Sequence, residues 1–228
     1  MSEIVVFEDV WKIYSPATPL EVQALKGINL KIEKGDFVAI LGPSGSGKTT
    51  LLNLAGLLDF PTKGKVFIEG KDFLKAKDAE ISFVRNKTVG FVFQQPSFLP
   101  EFTAIENVMI PAIIGGVSSR VAEKKAIELF KKFNLLDRKN HFPSHLSGGE
   151  LQRLTVLRAI INDPKIILCD EPTGQLDEEN AKTVFEVLAK INEIFGTSIL
   201  LVTHNRQLTK YVKKVINLKN GFMEVKWD

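Results

Sequence analysis

Short apolar runs alternate with amphipathic stretches along nearly the whole chain. Residues 4–7, 28–32, 37–41, 65–68, 89–93, 166–169, 198–202 and 215–218 are rich in β-branched, aromatic and other apolar residues, and each predicts a strand. Runs 37–41, 166–169 and 199–202 show no polar alternation, as expected of strands covered on both faces. Helical spacing between such strands predicts an α/β fold built on a mostly parallel sheet. Gly70 and Gly221 punctuate two hairpins, so the early strands are expected to add a small antiparallel β layer.

The pattern changes between about 95 and 160. After the irregular stretch Gln95-Pro96-Ser97-Phe98-Leu99-Pro100, Thr103 and Glu106 have the spacing of a capping box, in which hydroxyl and carboxylate each satisfy a free N–H at a helix start. Ala122, Ala126, Leu129, Phe130 and Phe133 then line one helical face among Lys and Glu residues. A helical subdomain over about 95–160 is therefore expected, inserted into a core of about 1–94 and 161–228 within a single domain spanning 1–228.

The 228 residues suffice for one well-buried domain rather than two. Thirty basic and 27 acidic residues are interspersed, and their net charge of +3 sets up no strong field, so nucleic acid is not an expected partner. The single cysteine, Cys169, lies in an apolar run and is expected to pack as a small buried hydrophobe. The N-terminus shows no basic-then-apolar leader pattern, and no stretch of about 18 apolar residues occurs. A soluble, intracellular protein is the expectation.

One segment carries specific chemistry. Gly42-Pro43-Ser44-Gly45-Ser46-Gly47-Lys48-Thr49 matches G-x-x-x-x-G-K-[ST], between the strand at 37–41 and a helical run expected over 50–58. Glycines let such a loop aim successive N–H groups at phosphate oxygens, and the helix N-terminus adds partial positive charge. Lys48 is expected to reach the β- and γ-phosphates of ATP, and the Thr49 hydroxyl to ligate Mg²⁺. Such a site also needs an acid at a strand end. Asp170 and Glu171 close the run 166–169, which suits Asp170 to the metal shell and Glu171 to polarising the attacking water.

Leu146-Ser147-Gly148-Gly149-Glu150-Leu151-Gln152-Arg153, together with these two motifs, resembles the signature of the ATP-binding-cassette (ABC) ATPases. The resemblance covers essentially the whole chain. It implies that Tyr14 stacks on adenine, and that Gln94, preferred over Gln95, senses the γ-phosphate and Mg²⁺. It also places Asp177 in the D-loop and makes His204 the switch histidine that contacts the γ-phosphate. Thr50 would join the cradle, and Ser147, Gly148, Gly149 and Glu150 would meet the γ-phosphate of an ATP held by a second copy. The implied assembly is a head-to-tail homodimer closed around two ATP. Leu151, Gln175 and Asn205 depart from common family residues but remove no group with a catalytic role, so an active ATPase is expected.

The resemblance further implies a separate transmembrane permease subunit and a location on the inner face of the cell membrane. Phe98, Leu99, Pro100, Phe102, Val108, Met109 and Ile110 would either receive the permease's coupling helix or pack the insert on the core. The cues GPSGSGKT, GFVFQQPSFLP and DEPTGQLD are similar to those of the lipoprotein-release and macrolide-export ATPases, with the cell-division type nearby. That subgroup implies export or mechanotransmission. The alternative is a soluble ABC ATPase acting on ribosomes or DNA, which would predict a paired cassette, a coiled-coil insertion or a basic patch.

Overall fold

The computed structural model describes residues 2–205 and 212–224. Its strands are β1 (Glu3–Tyr14), β2 (Val22–Glu33), β3 (Phe37–Leu41), β4 (Lys63–Ile68), β5 (Lys71–Asp72), β6 (Val89–Val92), β7 (Ile166–Asp170), β8 (Ser198–Thr203), β9 (Lys214–Lys219) and β10 (Phe222–Glu224). The helices are α1 (Lys48–Ala55), α2 (Asp78–Thr88), α3 (Ala104–Ile114), α4 (Ser119–Lys132), α5 (Gly148–Ile160) and α6 (Glu178–Phe195). A four-stranded sheet runs β2-β1-β4-β5 and a six-stranded sheet runs β10-β9-β3-β8-β7-β6.

The uninterrupted apolar strands occupy the centre of the larger sheet. β3 pairs in parallel with β8 and β9, and β7 pairs in parallel with β6 and β8. Every residue of β3 and β8 is buried. The period of two divides their side chains between the faces. Ala39, Ile167, Ile199 and Leu201 pack with α3, α4, α5 and α6 in one cluster. Val38, Ile40, Leu168, Leu200 and Val202 pack with α1 and the antiparallel layer in another. Cys169 belongs to the first cluster, and burial pushes its thiol up, so it behaves as a small hydrophobe.

The antiparallel layer is more extensive than its apolar runs suggest, since β1 and β2 are each 12 residues long. Register moves from Phe7↔Leu30 to Val10↔Ile28, so β1 carries one extra residue, and Asp9 has φ +44°. This bulge breaks the alternation that would mark the strand in sequence. Helix α2 gives no clear periodic signal in the sequence, because it buries only Ile81 and Thr88 and shows little apolar face.

The capping box at Thr103 and Glu106 opens α3 as expected. Val108 and Met109 are core residues, whereas Leu99 is 47% and Phe102 42% exposed, which divides the segment between packing and surface. Asn107, fully buried, fastens the approach to α3. It accepts from Leu99 N at 2.8 Å and donates to the carbonyls of Leu99, Phe102 and Thr103, each at 3.0 Å. Asn107→Ala is expected to cost about 3 kcal/mol, because buried main-chain groups lose their partners. Urea denaturation reads this directly, and a loss below about 1 kcal/mol would contradict it.

Candidate active site

Parallel register brings the ends of β3, β7 and β8 together, with Leu41 opposite Thr203 and Asp170 opposite Val202. The loops that follow these strands meet at the carboxyl edge of the sheet, where ligands of open α/β folds bind. The loop after β3 wraps the start of α1 so tightly that two positions admit no side chain. A Cβ on Gly42 would lie 2.2 Å from Leu218 O, and one on Gly47 2.4 Å from Ala24 O, with Gly47 at φ +105°.

Lys48 is 7% exposed, and its Nζ donates to Gly42 O at 2.9 Å and Pro43 O at 3.0 Å. Thr49 Oγ1 donates to Asp170 Oδ1 at 3.4 Å. Burial and the neighbouring Glu171 push the Asp170 carboxyl above its ordinary range, against the pull of Thr49 and Lys48. Glu171 has φ +45°, and its N–H donates to Val202 O at 3.0 Å. Its Oε1 lies 3.8 Å from Lys48 Nζ, while Oε2 meets Nδ1 of His204.

A cavity of about 890 Å³ unites Lys48, Thr49 and Thr50 with Ser44, Gly45 and Gly47. Gln94, Asp170, Glu171 and His204 enter it from the strand ends, and Tyr14 from the end of β1. Of the adjacent glutamines, Gln94 is the one that lines it. Gly42 and Pro43 border a neighbouring cavity of about 450 Å³ that shares His204, and Ser46 is buried beneath the loop. Val22, Gln23, Ala24 and Lys26 of β2, and Asn220 and Gly221 of the last hairpin, complete the larger cavity. No motif marks the β2 residues, which the length of β2 and its approach to Gly47 bring there, while Gly221 joins them by donating to Ser46 O at 3.2 Å and accepting from Lys26 N at 2.9 Å.

Helix α5 holds the segment around Gln94 on both sides. Gln152 Nε2 donates to Phe93 O at 3.0 Å, while Arg158 donates to Ser97 O at 2.5 Å and lies 4.5 Å from the Phe98 ring centre.

Ser147, Gly148, Gly149, Glu150 and Asp177 do not line the large cavity of their own chain. They cluster where the N-termini of α5 and α6 adjoin. Asp177 caps α6, accepting from Asn180 N at 2.9 Å and Asn180 Nδ2 at 2.6 Å, and a Cβ on Gly149 would lie 2.1 Å from Asn180 Oδ1. Ser147 caps α5, and Glu150 closes the reciprocal box by accepting from Ser147 N at 2.9 Å. The S-x-x-E spacing announces this box in the sequence.

Glu150 also accepts from Arg138 Nε at 2.7 Å. Burial pushes its carboxyl up, but the Ser147 N–H, the Arg138 guanidinium and the Ser147 hydroxyl outweigh burial and hold it below its ordinary range. The resulting stabilisation is present above the unfolded carboxylate value and is lost as pH falls through the lower folded value. Wild type should therefore melt above Glu150→Gln at neutral pH, and the gap should close in acid. A gap independent of pH would show that the charge of Glu150 contributes nothing.

Comparison with known proteins places this arrangement among described cassettes. The sequence profile of the ABC transporter family matches residues 25–174. The lipoprotein-releasing system ATP-binding protein LolD of Bacteroides thetaiotaomicron is 48% identical over 200 residues, covering 88% of this chain and 92% of that protein. LolD of Aquifex aeolicus is 43% identical over 221 residues, covering 97% of this chain and 96% of that protein. The dimeric ATP-binding cassette MJ0796, in a post-hydrolysis state bound to ADP and Pi, superposes with a TM-score of 0.87 at 39% identity, covering 97% of this chain and 98% of its own.

Proposed function

The chain belongs to the ABC transporter family as an ATP-binding, ATP-hydrolysing subunit, and from that premise we propose the following division of labour. Lys48 and the amides from Gly45 to Thr50 hold the β- and γ-phosphates. Tyr14 forms the base platform. The observation that carries the catalytic assignment is the Glu171 carboxylate, set between Lys48 and His204 at the edge of the same cavity.

Glu171 orients the water and takes its proton as the water oxygen bonds to the γ-phosphorus. The bond from that phosphorus to the bridging oxygen breaks, leaving ADP and phosphate. His204 meets Glu171 through Nδ1, and an N–H at Nε2 is the group that would donate to the γ-phosphate. The residues present fit Mg²⁺: the Thr49 hydroxyl and the Asp170 carboxylate converge at 3.4 Å, and Gln94 lines the same cavity. Among the described residues no group of three His, Cys, Asp or Glu could hold a metal, as suits an ion that shares its shell with phosphate and water. When bound, Mg²⁺ supplies charge neutralisation on the phosphate oxygens.

Two copies close head-to-tail, so that Ser147, Gly148 and Gly149 of each reach the γ-phosphate held by the other. This reading is supported by the separation of these residues from their own cavity and by the dimeric relative. The Glu150 carboxylate is engaged by Ser147 and Arg138, and its N–H by the Ser147 hydroxyl, so Glu150 contributes by holding the start of α5 in shape.

The dimer drives a membrane permease from the inner face of the membrane. The names of the relatives support a lipoprotein-release type of system, the subgroup that also includes macrolide exporters. Among the described residues no helix is long and apolar enough to cross a membrane. Leu99 and Phe102, exposed beside the Gln94 segment, are proposed to take the permease contact; Val108 and Met109 are core. The alternative, a cassette working on ribosomes or DNA, is not favoured by relatives of matching length that are named for lipoprotein release.

The test is to purify tagged Glu171→Gln from its native cells with Mg-ATP and identify the chains that come with it. A stoichiometric multi-span membrane protein is expected. Recovery of ribosomes or DNA-bound proteins, with no membrane chain, would overturn the permease assignment.

A further inference from the structure

Asp59 carries no motif and does not line the cavity, yet it joins the two ends of the site. It lies in the turn that follows α1, four residues past Ala55, and the N–H groups of Leu58 and Asp59 both donate to Asn53 O, at 2.9 Å and 3.3 Å. The residue is thereby fixed to the far end of the helix whose first residues are Lys48 and Thr49. That helix is eight residues long, a rise of about 12 Å.

The Asp59 carboxylate meets three donors. Oδ1 accepts from Lys12 Nζ at 2.6 Å and from Phe60 N at 2.7 Å, and Oδ2 accepts from the Tyr14 hydroxyl at 3.0 Å. Lys12 Nζ also donates to Phe60 O at 2.9 Å and sits 4.9 Å from the centre of the Tyr14 ring. Further along, Ile13 N donates to Thr62 Oγ1 at 3.0 Å and Thr62 N to Trp11 O at 2.8 Å. The segment after α1 is thus stitched to the end of β1.

These contacts constrain the Tyr14 ring in two ways. Its hydroxyl is anchored, which fixes the ring's tilt, and a cation lies against the ring, which leaves the face away from Lys12 for a stacked base. Asp59 compensates that cation, since the Lys12 side chain is only 13% exposed and would be costly to bury alone. A ring held in place before the ligand arrives loses no further freedom on binding.

We propose that Asp59, acting with Lys12, is a positioning residue for the nucleotide base. It registers the Tyr14 platform against the phosphate cradle through α1, so that base and phosphates are held by one rigid unit. The inference rests on the reading of Tyr14 as the base platform.

Calorimetric titration with ADP and with inorganic pyrophosphate, which lacks the base, separates the possibilities. Asp59→Asn is expected to weaken ADP about tenfold, the worth of one charge-assisted hydrogen bond, and to leave pyrophosphate within about twofold. Tyr14→Phe removes only the hydroxyl and should weaken ADP about threefold with the same selectivity, should Asp59→Asn fail to fold. Tyr14→Ala is the control for the platform itself. Equal weakening of ADP and pyrophosphate would make Asp59 a general support of the fold and overturn the inference. So would unchanged ADP binding in Asp59→Asn and Tyr14→Phe while Tyr14→Ala loses it, with the platform left standing. Unchanged ADP binding in Tyr14→Ala would remove the platform, and the inference with it.

Discussion

Glu171→Gln is expected to lower ATP turnover by about a thousandfold, within the usual range for loss of a positioned general base. The substitution is nearly isosteric. The amide can still hydrogen-bond His204 Nδ1, so the loop geometry survives, but it cannot take a proton from water. ATP affinity should hold or rise, because the variant removes a negative charge that lies 3.8 Å from Lys48 and close to where the γ-phosphate is proposed to sit. Phosphate release under single-turnover conditions reads the chemical step, and equilibrium binding reads affinity. Turnover within about tenfold of wild type would remove Glu171 from the role of base.

Lys48→Ala should act on the other half of the site, weakening ATP about a hundredfold. The ammonium contributes charge-assisted hydrogen bonds to phosphate in a buried setting, together worth about 3 kcal/mol. Its present bonds to Gly42 O and Pro43 O show how close the group lies to the bend of the cradle. Those two carbonyls lose a donor in the variant, so a thermal melt must accompany the titration to separate folding from binding. Undiminished ATP affinity in a folded Lys48→Ala protein would overturn the cradle assignment.

Where each element could be read from sequence depended on how local its cause is. The run 37–41 with its glycine loop, and the apolar run ending in Asp170 and Glu171, are strand-to-loop units whose chemistry is written in consecutive residues. The capping box at Thr103 and Glu106 is equally local. β1 was legible only over its first residues, because the bulge at Asp9 shifts which side chains face inward. Helix α2 buries too little to carry a period. At the site, Lys48, Thr49, Gln94, Asp170, Glu171 and His204 converge on one cavity while Gly42 and Pro43 border its neighbour, and the β2 wall does not follow from any motif. That wall exists because Gly47 approaches Ala24 O, a contact between residues on different elements. Asp59 was invisible for the same reason: its partners Lys12 and Tyr14 lie more than forty positions away in sequence. The spacing of Ser147 and Glu150 suits a capping box, but it could not show that Arg138 would also take up the carboxylate.

In the proposed dimer one chain holds an incomplete site and a second copy supplies the missing wall with Ser147, Gly148 and Gly149. Light scattering of Glu171→Gln after size-exclusion chromatography in saturating Mg-ATP reads this assembly. The mass of two chains is expected with ATP, and of one chain after exchange into ADP. A single-chain mass with ATP bound at full occupancy would contradict it.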